Sequence, residues 1–128
     1  MERALFNSWG EPVAYISEDA RKIIFLWDGH PVAYLYGHHV YGFSGQHLGW
    51  FISGVVYDIE GHRIGFTSST SPLPASQEPP KAKKYDLAKM EPREEAPPLP
   101  DLGFNYSKED FEAFLKRGQV GLEPYLGS

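Results

Sequence analysis

Four glycines divide the first half of the chain into four copies of one short pattern. They are Gly10, Gly29, Gly45 and Gly61, spaced 19, 16 and 16 residues apart. The same residue types recur at five fixed distances from each glycine. Such internal self-similarity predicts a fold assembled from repeated supersecondary units, and it restricts the candidate folds more than any other feature of the sequence.

The repeat includes positions on both sides of the glycine. Each copy has an aliphatic residue five positions before the glycine and an aromatic residue four positions before it. These residues are Leu5, Ile24, Val40 and Val56, and Phe6, Phe25, Tyr41 and Tyr57. An aliphatic, a small and an aromatic residue stand three, four and five positions after the glycine. They are Val13, Val32, Leu48 and Ile64; Ala14, Ala33, Gly49 and Gly65; and Tyr15, Tyr34, Trp50 and Phe66.

Each copy has the features of a β-hairpin. Two-residue turn signals occur at Asp28-Gly29, Ser44-Gly45 and Glu60-Gly61, and Trp9-Gly10 is the deviant first copy. Glycine suits a type I′ turn because both central residues of that turn need a positive φ. The flanking runs, such as Ile23–Trp27, have strand length and are rich in β-branched and aromatic residues. The sequence therefore predicts eight short strands within residues 1–67.

The small residue of each copy indicates how the hairpins pack. Side chains alternate along a strand, so the third and fifth residues after the glycine should share one face and the small fourth residue the other. A small residue at the same place in every copy indicates a crowded axis where four strands approach closely. We therefore predict an all-β fold, a pseudo-four-fold shallow barrel of four hairpins. Four hairpins in an ordinary sheet are the alternative.

Residues 4–67 resemble the 4-fold β-flower domain, a bacterial family of hairpins arranged like petals in a shallow barrel. The resemblance depends on Trp27–Leu35, Val40–Phe51 and Val56–Gly61. Similar proteins often have a Pro-rich segment and a short C-terminal helix containing Phe, which Asp110–Leu115 would match. The resemblance implies this fold but no settled activity, and it supplies no catalytic residues.

The second half of the chain has a different composition. Residues 68–128 contain 9 of the 11 prolines, and residues 68–103 are rich in Pro, Ser, Lys and Glu. Such a stretch can neither continue a helix nor fill the interior of a sheet. We therefore predict three parts: a four-hairpin domain over residues 1–67, an extended linker over residues 68–103, and a helix with a C-terminal tail over residues 104–128.

The predicted helix has one apolar stripe, formed by Phe111, Phe114 and Leu115 at the i, i+3 and i+4 positions. Ser107 is the expected N-cap, and Gly118 is expected to take a left-handed conformation after the last turn. A helix of about ten residues is marginal alone. We therefore expect the three apolar side chains to dock on the barrel of the same chain or of a neighbouring chain, and the second case would give a homo-oligomer.

The abundance of aromatic residues suggests a binding surface. Most of these side chains are needed to give a small cysteine-free domain its core. The remainder predict an apolar surface at the pseudo-symmetry axis that accepts a peptide helix, another protein segment or a lipid. The candidate lining residues are Tyr15, Tyr34, Trp50, Phe66, Trp27 and Phe43. We therefore expect a non-catalytic binding module, with a membrane-surface or lipid-binding domain as the alternative.

Charge and composition exclude several classes of protein. The net charge is −5 and there is no cysteine. An acidic chain without a basic run is not expected to bind nucleic acid. The absence of cysteine excludes disulfides and thiolate metal sites. It suits a cytoplasmic protein, as does the lack of a signal peptide or an apolar run long enough to span a membrane.

Catalytic and metal sites have little support in the sequence. There is no nucleophile elbow and no phosphate-binding glycine loop before a helix. An enzyme would depend on a polar ring at one barrel mouth, with Asn7 and Asp58 at equivalent repeat positions. A metal-binding ring would need the residues that directly follow the four glycines to converge. These are Glu11, His30, Gln46 and His62. Hairpin tips point outward in a flower, so we expect no metal and no cofactor.

Overall fold

The computed structural model describes residues 2–120 and shows a closed antiparallel barrel. Its eight strands and one helix are β1 (Arg3–Phe6), β2 (Pro12–Ile16), β3 (Ile23–Leu26), β4 (Pro31–Tyr36), β5 (His39–Gly42), β6 (His47–Ile52), β7 (Val55–Tyr57), β8 (Arg63–Phe66) and α1 (Phe111–Lys116). Each strand pairs with the next, and β1 closes the barrel on β8 with Phe6 opposite Phe66. This confirms the predicted barrel of four hairpins and excludes the ordinary sheet.

The hairpin turns differ from the predicted type I′ turns. In the first hairpin, the Gly10 N–H donates to the Asn7 carbonyl and the Asn7 N–H donates to the Glu11 carbonyl, and the other three repeat this pattern. In each turn, only the final glycine has a positive φ, which is +81° at Gly10. These are type I turns that end in a glycine bulge. Because the residue before the glycine needs no positive φ, Trp9 is tolerated there.

A second irregularity in every hairpin changes which side chains face inward. The pairing between the two strands shifts by one residue four to five positions before each turn glycine. The extra residues on the returning strands are Val13, Val32, Leu48 and Ile64. They join the interior core cluster together with Ala14 and Ala33. The predicted simple alternation was therefore wrong, because a β-bulge turns two consecutive side chains toward one side.

Aromatic residues form the outer layer of the barrel. The aromatic residue five positions after each glycine pairs across strands with the one that lies four positions before the next glycine. The pairs are Tyr15 with Phe25, Tyr34 with Tyr41, Trp50 with Tyr57, and Phe66 with Phe6. Cross-strand aromatic pairs stabilise antiparallel sheets. Every junction between hairpins, including the closing one, therefore has the same packing unit.

The Pro-rich segment lies against the barrel. Residues 73–103, here called the belt, pass the four hairpin turns in order. The belt carbonyls that closely approach the four turn glycines belong to Pro74, Lys83, Pro92 and Asp101, which are nine residues apart. At the first three turns, the glycine carbonyl also accepts a backbone hydrogen bond from the belt. The donors are Ser76, Tyr85 and Glu94, at 2.8, 2.9 and 2.9 Å. The belt thus contacts successive hairpin turns at equal intervals along the chain.

Helix α1 is shorter than predicted because Asp110, not Ser107, is its N-cap. The Asp110 carboxylate accepts a hydrogen bond from the Ala113 N–H, whereas the Ser107 hydroxyl accepts one from the Glu109 N–H before the helix begins. The prediction of a left-handed Gly118 was also wrong, since its φ is not positive. Gly118 instead packs directly on the backbone of Gly42, where a Cβ would collide.

We predict that Gly45→Ala destabilises the barrel more than Gly37→Ala. Both glycines have a positive φ, +89° and +62°, which costs an alanine about 1–2 kcal/mol. A Cβ at Gly45 would also collide with the Pro92 carbonyl of the belt, whereas nothing lies within 4 Å of a Cβ at Gly37. Displacing the belt adds about 1–3 kcal/mol. Urea denaturation of both variants measures the difference, and equal losses would contradict the close approach of the belt.

Candidate functional site

The barrel interior is filled by side chains of the same chain's helix. Phe111, Phe114 and Leu115 are at most 2 % exposed and belong to one core cluster with the interior side chains of the strands. Those strand residues include Leu5, Ala14, Ile16, Ile24, Ala33, Val40 and Val56. The structure therefore brings all three predicted tail-docking residues together in the barrel of their own chain.

The small residues of the repeat provide the space for the two phenylalanine rings. A Cβ added to Gly65 would overlap the Phe111 ring, whereas one added to Gly49 would collide with the Tyr57 carbonyl of the neighbouring strand and lie 3.3 Å from the tip of Phe114. The sequence predicted a crowded axis at these positions because of close strand approach. The structure shows that the helix ring of Phe111 causes the crowding at Gly65, whereas close strand approach causes it at Gly49.

The aromatic residues predicted to line a central surface lie on the outer side of the barrel. Tyr15, Tyr34 and Phe43 form a second core cluster, against which Trp27 packs, whereas Phe66 belongs to a third. Trp50, also buried, contacts His47 with ring centroids 4.9 Å apart. The six residues therefore do not surround one cavity. Alternation along the strand is the physical reason, because the small fourth residue, such as Ala14, faces the interior and the aromatic fifth, such as Tyr15, therefore faces outward.

Belt cations cover part of this outer aromatic layer. Lys84 lies 5.7 and 5.3 Å from the ring centroids of Tyr15 and Phe25, and nine residues later Arg93 lies 5.8 Å from that of Tyr41. Burial raises the pKa of the Tyr15 hydroxyl, and a hydrogen bond to Glu2 raises the pKa of the Lys84 amino group. The outer aromatic rings are thus covered by the chain's own belt through packing and cation–π contacts.

A polar groove of about 890 Å³ lies beside the fourth hairpin turn. The turn contributes acidic and histidine side chains, the segment before α1 contributes polar ones, and the end of the helix contributes Arg117. The main titratable lining residues are Asp58, Glu60, His62, Lys108, Glu109 and Arg117. Arg117 forms an ion pair of 2.7 Å with Glu109. This groove therefore combines carboxylate, imidazole, amino and guanidinium groups, and no pattern in the sequence predicted it.

Asn7 and Asp58 each build their own turn rather than a shared polar ring. The Asn7 side-chain oxygen accepts backbone hydrogen bonds from Trp9 and Glu11, both of 3.0 Å. The Asp58 carboxylate accepts the equivalent bonds from Glu60 and His62, at 3.0 and 2.9 Å. Such Asx contacts stabilise turns. The structure thus gives both residues a local structural role, and it does not show them as one polar pair.

Two of the four residues that directly follow the turn glycines, Glu11 and His30, contact side chains of their own hairpins. Glu11 accepts a hydrogen bond from the Asn7 amide, and His30 contacts the Asp28 carboxylate at 2.9 Å. The His30 ring also stacks on Tyr85 of the belt, with ring centroids 3.9 Å apart. The structure does not show these residues as a ring around the barrel axis.

Comparison with known families agrees with the barrel and the terminal helix. The family model described as the 4-fold beta flower protein matches residues 3–115, which include all eight strands and most of α1. The chain belongs to this family. No curated protein and no solved structure matches it. Within residues 2–120, no helix has the length and apolar character needed to span a membrane.

One histidine pair is built into the third petal of this beta-flower barrel. His39 Nδ1 lies 2.9 Å from His47 Nε2, and His47 is 2 % exposed. Its surroundings are the rings of Tyr41 and Trp50, while the Glu94 carboxylate of the belt accepts its backbone N–H. Burial, followed by the nearby His39, lowers the pKa of His47, although Glu94 opposes this shift. His47 is therefore held in its neutral form.

We predict that the beta-flower barrel loses stability as the solution becomes acidic. The pKa of His47 is lower in the folded chain than its usual 6.5, so the unfolded chain binds the proton first as the pH falls through 6.5. The melting temperature should therefore fall as the pH drops through about 6.5, where the unfolded chain takes up the proton. His47→Asn should reduce this fall, whereas His38→Asn, at an exposed position, should leave it unchanged. An equal fall in the wild type and His47→Asn would contradict the assignment.

Proposed function

We propose that this chain is a non-catalytic interaction module whose central surface holds a short apolar helix. The supporting observation is the burial of Phe111, Phe114 and Leu115 in one cluster with interior residues from the barrel strands. In the described structure, the occupant is the chain's own α1. A module of this kind can also hold the equivalent helix of a neighbouring chain, which would produce a homo-oligomer by exchange of identical elements.

The dimensions of the helix support a binding role for the barrel. Helix α1 has six residues, far fewer than an isolated helix needs to be stable in water. Its stability must therefore come from the barrel contacts. Truncating a buried phenylalanine typically costs about 3–5 kcal/mol, so the two rings dominate the attachment. The belt supports it further, because it leads the chain around the barrel to the point where α1 begins.

The lipid-binding alternative would use the other end of the barrel. An opening there of about 490 Å³ is lined by the apolar residues Ile16, Leu35 and Phe51, the cations Arg3 and Lys22, and Ser17 and Glu18. The Arg3 guanidinium lies 5.6 Å from the Phe51 ring centroid. Two cations against one carboxylate leave a small positive charge beside the apolar residues, which is compatible with an anionic lipid. The interior helix is better supported, because its apolar side chains are seated in the barrel.

We predict that Phe114→Ala strongly destabilises the protein, whereas Ala113→Gln does not. Phe114 is fully buried in the barrel, and its loss should cost about 3–5 kcal/mol. Ala113 is exposed on the same helix, so its substitution controls for effects on the helix itself. Thermal and urea unfolding of both variants provide the measurement. If Phe114→Ala unfolds like Ala113→Gln, the barrel does not hold the helix as proposed.

Addition of a separate peptide tests whether the barrel interior can bind a helix from outside, rather than only packing with the helix of its own chain. We expect a synthetic peptide of residues 104–120 to raise the melting temperature of Phe114→Ala, because a ligand that binds the folded state stabilises it. The same peptide with Phe114 replaced by alanine is the matched control and should raise it less. No difference between the two peptides would mean that the interior does not accept a helix from outside.

A further inference from the structure

The groove beside the fourth hairpin turn contains three side chains suited to a metal ion. Asp58, Glu60 and His62 each offer one ligand atom, and these atoms all lie within 4.8 Å of one another. His62 Nδ1 is 3.7 Å from Glu60 Oε1 and 4.0 Å from Asp58 Oδ2. We propose that this turn binds a divalent transition-metal ion, with Zn²⁺ as the best match.

The donor set favours Zn²⁺ over the alkaline-earth ions. Imidazole nitrogen suits zinc, copper, iron and nickel, and carboxylate oxygen is also an ordinary zinc ligand. Three protein ligands leave a zinc coordination position open to water or to a ligand in the groove. Magnesium prefers oxygen ligands in a regular octahedron, so the imidazole makes it a poor match. Lys108 in the same groove favours an anionic ligand at the open position, whereas Arg117 is already paired with Glu109.

Asp58 is positioned for coordination by the backbone of the turn. Its Oδ1 accepts the N–H groups of Glu60 and His62, and the side chain is 11 % exposed. These two bonds fix the carboxylate and leave Oδ2 directed toward the imidazole. Partners that orient a metal ligand in this way commonly contribute to metal affinity. The turn therefore orients one of the three ligands before any ion arrives.

Comparison with the second hairpin shows why the fourth one is special. The equivalent histidine there, His30, is covered by Tyr85 of the belt. The belt residue eighteen positions after Tyr85 is Gly103, which lies at the fourth turn. Gly103 has no side chain, and no atom lies within 4 Å of the place where its Cβ would be. Among residues 2–120, no aromatic ring stacks on His62, which lines the groove. The residue equivalent to Asp58 in the second hairpin is Leu26, which cannot coordinate a metal ion.

This proposal differs from the ring of four hairpin tips considered from the sequence. That ring would have needed Glu11, His30, Gln46 and His62 to converge, and each lies in its own turn. The fourth turn instead contributes all three ligands from one five-residue stretch, 58–62. The sequence has an Asp-x-Glu-x-His spacing at 58–62. It does not show that the turn brings Asp58 and His62 close to Glu60.

The test is calorimetric titration of the full-length protein with Zn²⁺, with Mg²⁺ titrated in parallel. We expect one Zn²⁺ per chain, weakened at least about tenfold by His62→Gln and by Glu60→Gln. His30→Gln is the matched control at the equivalent repeat position and should bind as the wild type does. Because His62 and Glu60 lie at the surface, circular dichroism should show that these variants keep the fold.

A second readout locates the ion independently of affinity. In NMR spectra of the labelled protein, Zn²⁺ should shift resonances of residues 58–62 and of the groove segment 105–109. Absence of Zn²⁺ binding would overturn the proposal. So would binding that His62→Gln leaves intact, or binding that His39→Gln abolishes instead, because the ion would then lie at the buried histidine pair. Equal affinity for Mg²⁺ would contradict the assigned role of the imidazole.

Discussion

Filling the barrel interior is the constraint on which the rest of this structure depends. Eight short strands close into a ring, but their small inward residues leave space that the strands themselves do not occupy. Phe111 and Phe114 enter that space at Gly65 and Gly49. Without these two rings, the interior side chains would face a void and would lose both hydrophobic and dispersion stabilisation. The pseudo-symmetric ring and the non-symmetric helix are therefore parts of one core.

The belt also covers part of the outer face of the barrel. A closed barrel has a second face, and here that face consists of cross-strand aromatic pairs. One nine-residue step per hairpin allows the belt to repeat its backbone contacts at successive turns and to place Lys84 and Arg93 at successive aromatic pairs. The prolines suit this role because an extended chain that they stiffen loses less entropy on docking.

The repeat register could be predicted from the sequence because each turn glycine and each aliphatic or aromatic position recurs four times. The β-bulges could not, since one extra residue in a strand leaves no mark on composition, and they turn the aliphatic third residue of each copy to the interior beside the small fourth residue. The belt was predicted as extended, but its docking occurs largely through backbone groups such as the Glu94 N–H, which no residue pattern records. The groove could not be predicted, because the sequence does not show that Gly103, which has no side chain, is the belt residue at the fourth turn.

A double-mutant cycle on Gly65 and Phe111 tests the central packing claim most directly. A Cβ at Gly65 would overlap the Phe111 ring, whereas leucine at position 111 lacks the ring atoms that cause the overlap. The account predicts that Gly65→Ala costs at least about 1 kcal/mol less free energy of unfolding in the Phe111→Leu background than in the wild type. Losses that add to within about 0.5 kcal/mol would show that the two residues are independent, and would contradict a barrel built to hold its own helix.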